Sequence, residues 1–130
     1  MSRRKSIHIK ELKHANPIPA ASRVGNIVMS SIINGVDPAT GKVAATLDEQ
    51  CAHMFQHVRR LVEAAGGSTE DIVKMNVWLG DRAKRDALNR EWLAMFPDEH
   101  SRPARHAHRA NLDGEGGIQV QCDFTAVLAD

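Results

Sequence analysis

The sequence predicts an α+β domain, a two-layer sandwich in which a mixed six-stranded sheet carries two helices on one face. Three observations lead there. Residues 6–10, 72–79 and 118–124 alternate apolar and polar with a repeat of two, the signature of strands that bury one face. Residues 47–65 and 81–96 repeat instead at helical spacing, and both stretches fall between strands. The order is therefore strands, helix, strand, helix, two strands, and helices that join strands in this way lie as crossovers on one sheet face.

Length and composition set the frame. A chain of 130 residues is expected to form one domain, residues 1–130, and to remove roughly two-thirds of its unfolded surface from water. The 17 Lys and Arg are balanced by 16 Asp and Glu, and three Phe, two Trp and no Tyr leave little for stacking. That balance speaks against a dedicated nucleic-acid binder, which needs clustered positive charge and aromatic platforms. Cys51 and Cys122 fall on apolar faces, so buried thiols in a reducing cytoplasm are expected. Residues 1–5 are basic but lead into Ser6, Ile7, His8, Ile9 and Lys10 rather than an apolar run, so neither a signal peptide nor a membrane span is expected.

Residues 6–10 form the first strand, with Ile7 and Ile9 on one face. Pro17 and Pro19 then impose extended backbone and a rigid loop. Gly25 and Asn26 make a turn into Ile27–Ile33, which is apolar on both faces and so predicts a central strand. Asp37, Pro38 and Gly41 are turn chemistry. Thr46 and Glu49 form a capping box for the helix over 47–65, and Gly66-Gly67 stops it. In the strand over 72–79, Val73, Met75, Val77 and Leu79 point inward and Lys74, Asn76 and Trp78 outward. Asp81 caps the second helix, which Pro97 ends. Two helices leave one sheet face uncovered, and that face holds Trp78 and part of the Ile27–Ile33 strand. Association through the sheet is the physical expectation.

The end of the chain carries the chemistry. Arg105 follows Pro103 and so opens a strand as a well-anchored guanidinium. After a turn at 113–117, Ile118, Val120, Cys122 and Phe124 make an apolar face, and Gln119, Gln121 and Asp123 occupy the other. That second face either meets water or lines a cleft.

Taken together, Val24-Gly25-Asn26 with the strand ending Ser30-Ser31, the stretch Asp37–Val43, Val62–Gly66, Asp71–Lys74, Asn89 before Phe96, and Arg102-Pro103-Ala104-Arg105 resemble the reactive intermediate deaminase family. It is also called the RidA, YjgF or endoribonuclease L-PSP family. The resemblance implies a chorismate-mutase-like fold and a homotrimer with its sites in clefts between subunits. It also implies hydrolysis of enamines and imines such as 2-aminoacrylate to 2-oxo acids and ammonia, with no metal and no cofactor. Arg105 matches the arginine that grips the substrate carboxylate, a task suited to a planar two-donor fork. The backbone of Ala107 matches the position that contacts carboxylate and nitrogen, while Ser31 and Asn89 match further positions around the substrate. Gln121 stands where the family has a glutamate that helps to activate water. An amide orients water without taking its proton, and general-base help is worth ~100 to 10,000-fold. Ile18 occupies a position that is usually aromatic, and Ile32-Ile33 replace a glycine and a glutamine. These departures point to a divergent branch with a different substrate, or to one that has lost the reaction. A non-catalytic binder of 2-oxo or amino acids is thus the alternative. A ribonuclease would need a basic groove and the pair His106 and His108, and the near-neutral charge makes that the weakest reading.

Other candidates read as structure. His53 and His57 lie one turn apart at metal-capable spacing, but Met54 stands where a metalloprotease glutamate belongs, so exposed helix histidines are expected. His106 and His108 share the strand face opposite Arg105 and lack a third zinc ligand. Arg82, Lys84, Arg85 and Arg90, interleaved with Asp86 and Glu91, read as a solvated helix face.

Overall fold

The computed structural model describes residues 3–112 and 117–129. Six strands form one continuous ladder in the order β1 (Arg4–Ile7), β2 (Ala21–Val24), β3 (Ile27–Ser30), β9 (Val120–Val127), β7 (Ile72–Leu79) and β8 (Ala104–Arg109). A two-residue seventh strand, β4 (Ile33–Asn34), also pairs with β9. All pairings are antiparallel except β7 with β8. A separate hairpin joins β5 (Val36–Asp37) to β6 (Lys42–Val43). Helices α1 (Leu47–Ala64) and α2 (Asp86–Met95) pack on one sheet face, giving the expected α+β layers.

The core lies between those layers. Cys51, Met54, Phe55, Val58, Leu61 and Val62 of α1 meet Met75, Val77, Leu79, Val120, Cys122, Phe124 and Ala126 of the sheet. Local chemistry sets the bounds of α1: the Thr46 side chain accepts from the Glu49 amide, and Gly66 takes a φ of 99° that other residues adopt only at a cost. Gln50 is fully buried yet satisfied, its amide donating to Ala44 O and Gly117 O while its oxygen accepts from Gln119 N. It thereby fixes the entry into β9.

Several expectations are corrected. The first strand runs over 4–7 rather than 6–10. The Ile27–Ile33 stretch is two strands, because Ser31 turns its amide to Ala20 O and its hydroxyl to Pro19 O. Its second face is open, with Ile27 and Met29 52% and 58% exposed. Val73 points outward, because the ladder between β7 and β9 skips a residue there and a bulge resets the alternation. Asp81 does not cap α2. Its carboxylate accepts from the Ala83 amide in a turn, and α2 begins at Asp86 with Arg85 at the N-cap position and no side-chain cap. His57 is not exposed but fully buried. Of the turn expected at 113–117, all but Gly117 lies outside the described residues.

Candidate functional site

β8 is the edge strand, so one side of its backbone is unpaired by the sheet. The Ala110 amide donates to Leu79 O. Ladder bonds alternate along a strand, so the backbone groups of His106 and His108 face β7, and those of Arg105 and Ala107 face outward from the free edge. The Arg105 side chain lies on the helix side, its guanidinium carbon 4.9 Å from the centre of the Trp92 ring. Trp92 is itself held edge-on by Phe96, with ring centres 4.8 Å apart. The Nη1 of Arg105 is buried and has no hydrogen-bond partner among the described residues. Burial first, and then the nearby Arg85 charge, pull the guanidinium below its ordinary pKa. A donor in this condition is short of an acceptor, and a carboxylate in the plane of the fork supplies one.

Asn89 belongs to the same side. Arg85, Asn89 and Trp92 follow at spacings of four and three, which places them along one side of α2. Because β7 and β8 are parallel and α2 connects them, α2 runs back against β8, its N-terminal end beside Arg109 and its later turns beside Arg105.

Ser31 and Gln121 lie elsewhere. They line a cleft of about 1120 Å³ together with Ala20, Asn34, Ile118 and the loop over 10–15. Ile18 is 42% exposed, beside the Pro19 carbonyl that accepts the Ser31 hydroxyl at 2.8 Å. Gln121 pairs with Trp78, and Arg105 with Met75, so β7 stands between the two residues. Standard strand spacings put their Cα atoms on the order of 14 Å apart, with side chains on opposite sheet faces. The predicted residues therefore fall into two groups in one chain: Arg105, Ala107 and Asn89 at the β8 edge, and Ser31 and Gln121 in the large cleft, with Ile18 in the loop that Ser31 bonds.

The open face also carries a polar relay. Asn76 donates to Asp123 Oδ1 at 3.2 Å, so its own oxygen is the acceptor for His108 Nε2–H, also at 3.2 Å. His108 stacks on Trp78 with ring centres 5.1 Å apart, and His106 lies 3.8 Å from His108. That neighbour, more than anything else, holds His106 below the ordinary imidazole value. Among the described residues no three His, Cys, Asp or Glu side chains come together to hold a metal. Both thiols are buried, and burial pushes Cys51 up to about 12 and Cys122 higher still, so neither is a nucleophile at neutral pH.

Sequence reasoning missed two contributors. Trp92, placed only as a core residue, is the surface on which Arg105 lies, and Arg85, placed on a solvated face, is half-buried close to it. The signal was available in their shared helical spacing with Asn89.

Comparison with known proteins bears on the family and the fold. The family described as Endoribonuclease L-PSP matches residues 8–127. A RutC family protein of Haemophilus influenzae is 31% identical over 119 residues, covering 88% of this chain and 92% of that protein. A 2-iminobutanoate/2-iminopropanoate deaminase of Salmonella typhimurium is 35% identical over 83 residues, 63% of this chain and 65% of that one. The crystal structure of RidA from an Antarctic Psychrobacter superposes with a TM-score of 0.86 at 29% identity, covering 95% of this chain and 99% of that one.

Proposed function

Because the chain belongs to the endoribonuclease L-PSP family, the family of the RidA and YjgF proteins, we propose that it hydrolyses a carboxylate-bearing imine to a 2-oxo acid and ammonia. The observation that carries this reading is the Arg105 guanidinium over Trp92, its buried Nη1 without a hydrogen-bond partner among the described residues, beside the outward-facing backbone of Ala107. In this reading Arg105 takes the substrate carboxylate in its fork, and the Ala107 backbone positions the nitrogen. Water adds to the carbon of the C=N bond, the nitrogen gains protons, and the C–N bond then breaks. One imine and one water become one 2-oxo acid and one ammonia.

Gln121 orients that water from the other group of residues. It is too far from Arg105 of its own chain, so the reaction requires a second copy whose Ser31, Gln121 and Ile18 face the first copy's β8 edge. A homotrimer with three shared clefts satisfies this, since a head-to-tail contact closes into a ring. The uncovered sheet face supports the same assembly: Ile27, Met29 and Val127 are all about half exposed there. Among the described residues no helix is long and apolar enough to cross a membrane.

A non-catalytic binder of 2-oxo or amino acids is favoured by one residue, Gln121, which is no proton acceptor. The two are separated by generating imines in place from several amino acids with an amino-acid oxidase and following ammonia and 2-oxo acid. An acceleration that Arg105→Ala abolishes is the expected result. No acceleration on any imine by folded protein would overturn the enzyme and leave the binder.

A further inference from the structure

Arg82 and Arg109 are exposed and Arg85 is half-buried, yet the three are not scattered over the surface. A cleft of about 660 Å³ is lined by Gly80, Asp81, Arg82, Ala83, Arg85 and Arg109. Three guanidinium groups thus share one concavity with a single carboxylate, and Asp81 already spends one oxygen on the Ala83 amide. Arg85 gives its Nε–H to the Arg82 carbonyl, which holds it in place without neutralising it. Among the described residues the ion pairs involve only Arg60, Arg90 and His100 on the basic side, so none of Arg82, Arg85, Arg105 and Arg109 is ion-paired with a described carboxylate. Most surface arginines are solvated singly. Here Arg82, Arg85 and Arg109 line one cleft, and Arg85 lies near enough to Arg105 for its charge to lower the Arg105 pKa, after burial.

Position decides what this concavity serves. Arg105 and Arg109 share the helix side of β8, four residues and about 13 Å apart. Arg85, at the start of α2, lies between them, near enough to Arg105 to be felt and lining the same cleft as Arg109. A ligand whose carboxylate sits on Arg105 and that extends along the strand past Ala107 would bring its far end to Arg85, Arg82 and Arg109.

We propose that these three arginines form a second anion subsite, so that the substrate is an imino acid with a further carboxylate or phosphate-like group at its far end. This rests on the deaminase reading for Arg105 and adds the class of side chain. A small aliphatic imine leaves the cluster's repulsion in place, whereas an anionic tail relieves it and gains charge-assisted hydrogen bonds.

The test uses stable 2-oxo acids, which are the products of the proposed reaction. Titration calorimetry at low salt would compare 2-oxobutanoate with 2-oxoglutarate, 2-oxoadipate and 2-oxo-4-phosphonobutanoate, the last separating a phosphate-like tail from a carboxylate one. The expected result is at least tenfold tighter binding of one dianionic class. That preference should shrink toward one in Arg85→Gln and Arg109→Gln, and persist in Arg59→Gln, which removes an equal charge from the exposed side of α1. Equal binding of mono- and dianionic acids, or a preference that Arg85→Gln leaves intact in folded protein, overturns the second subsite and leaves the deaminase reading standing. No binding of any 2-oxo acid together with no imine hydrolysis overturns both.

Discussion

At the scale of single residues, function turns on which polar groups are left without a partner and which are satisfied. Arg105 is the first kind, and Gln121 is the point where the chemistry is weakest. Replacing Gln121 by glutamate puts a proton acceptor at the position to which the proposed reaction assigns the orienting of water. Gln121→Glu is expected to raise the rate of imine hydrolysis by about tenfold or more, a part of the ~100 to 10,000-fold that well-placed general-base help is worth. Single-turnover ammonia release at pH 7.5 checks it, and an unchanged rate would show that no base works from that position. His57 is the second kind. It donates from Nε2 to Val36 O at 2.8 Å and accepts at Nδ1 from Arg60 at 3.1 Å, so only the neutral ring fits. Burial lowers its pKa most, and the Arg60 and His53 charges lower it further against the Val36 bond. A depressed folded-state value means that the stabilisation is complete above the ordinary imidazole value near 6.5 and is lost as pH falls from there toward the folded value. The melting temperature of the native protein should therefore fall between pH 7.5 and 5 by more than that of His57→Gln. Parallel melting curves for the two proteins would remove His57 as the cause.

Among elements, the pattern of what was legible has a physical logic. The bounds of α1 were readable because Thr46 and Gly66 act on the few residues beside them. Asp81 misled because aspartate serves a turn as well as a helix start, and only the backbone path decides between them. The bulge at Val73 was not readable, since it is set by pairing with β9, some fifty residues away. His57 was readable in principle: it stands on the stripe of Gln50, Met54 and Leu61, all buried. What the sequence did not display is the β5–β6 hairpin whose Val36 carbonyl meets it. The candidate site was half legible, because Arg105 matched a family residue and Gln121 aligned with a family position, whereas the convergence of Arg85, Trp92 and Arg105 arises only when α2 folds back over β8. Element packing also yields a test away from the site. A Cβ on Gly35 would collide with the Gln50 backbone where the chain before β5 crosses α1. Gly35→Ala should lower stability by about 1–3 kcal/mol through overpacking, read as a shifted denaturant midpoint with an unchanged slope.

For the whole molecule, the proposed reaction makes activity a property of the assembly, because the two groups of candidate residues lie too far apart in one chain. Disrupting the open face with Met29→Asp should yield smaller particles by light scattering and no hydrolysis, although Arg105 and Gln121 are both intact. Conversely, Arg105→Ala and Gln121→Arg proteins, each inactive alone, should regain activity when unfolded and refolded together, with about a quarter of the shared clefts rebuilt from two undamaged halves. Absence of recovery in co-assembled particles would place both residues in the service of one chain. The free edge of β8 has one more consequence, and it concerns the time before assembly. A newly made copy presents the unpaired backbone of Arg105 and Ala107, a template on which another chain could deposit a strand. The six residues of that strand, Ala104 to Arg109, include two arginines and two histidines and no β-branched or large aliphatic side chain. Stacking such strands into a fibril would pile like charges on one another. The cations that the proposed reaction assigns to substrate binding thus also act as gatekeepers against aggregation of a copy that stands alone.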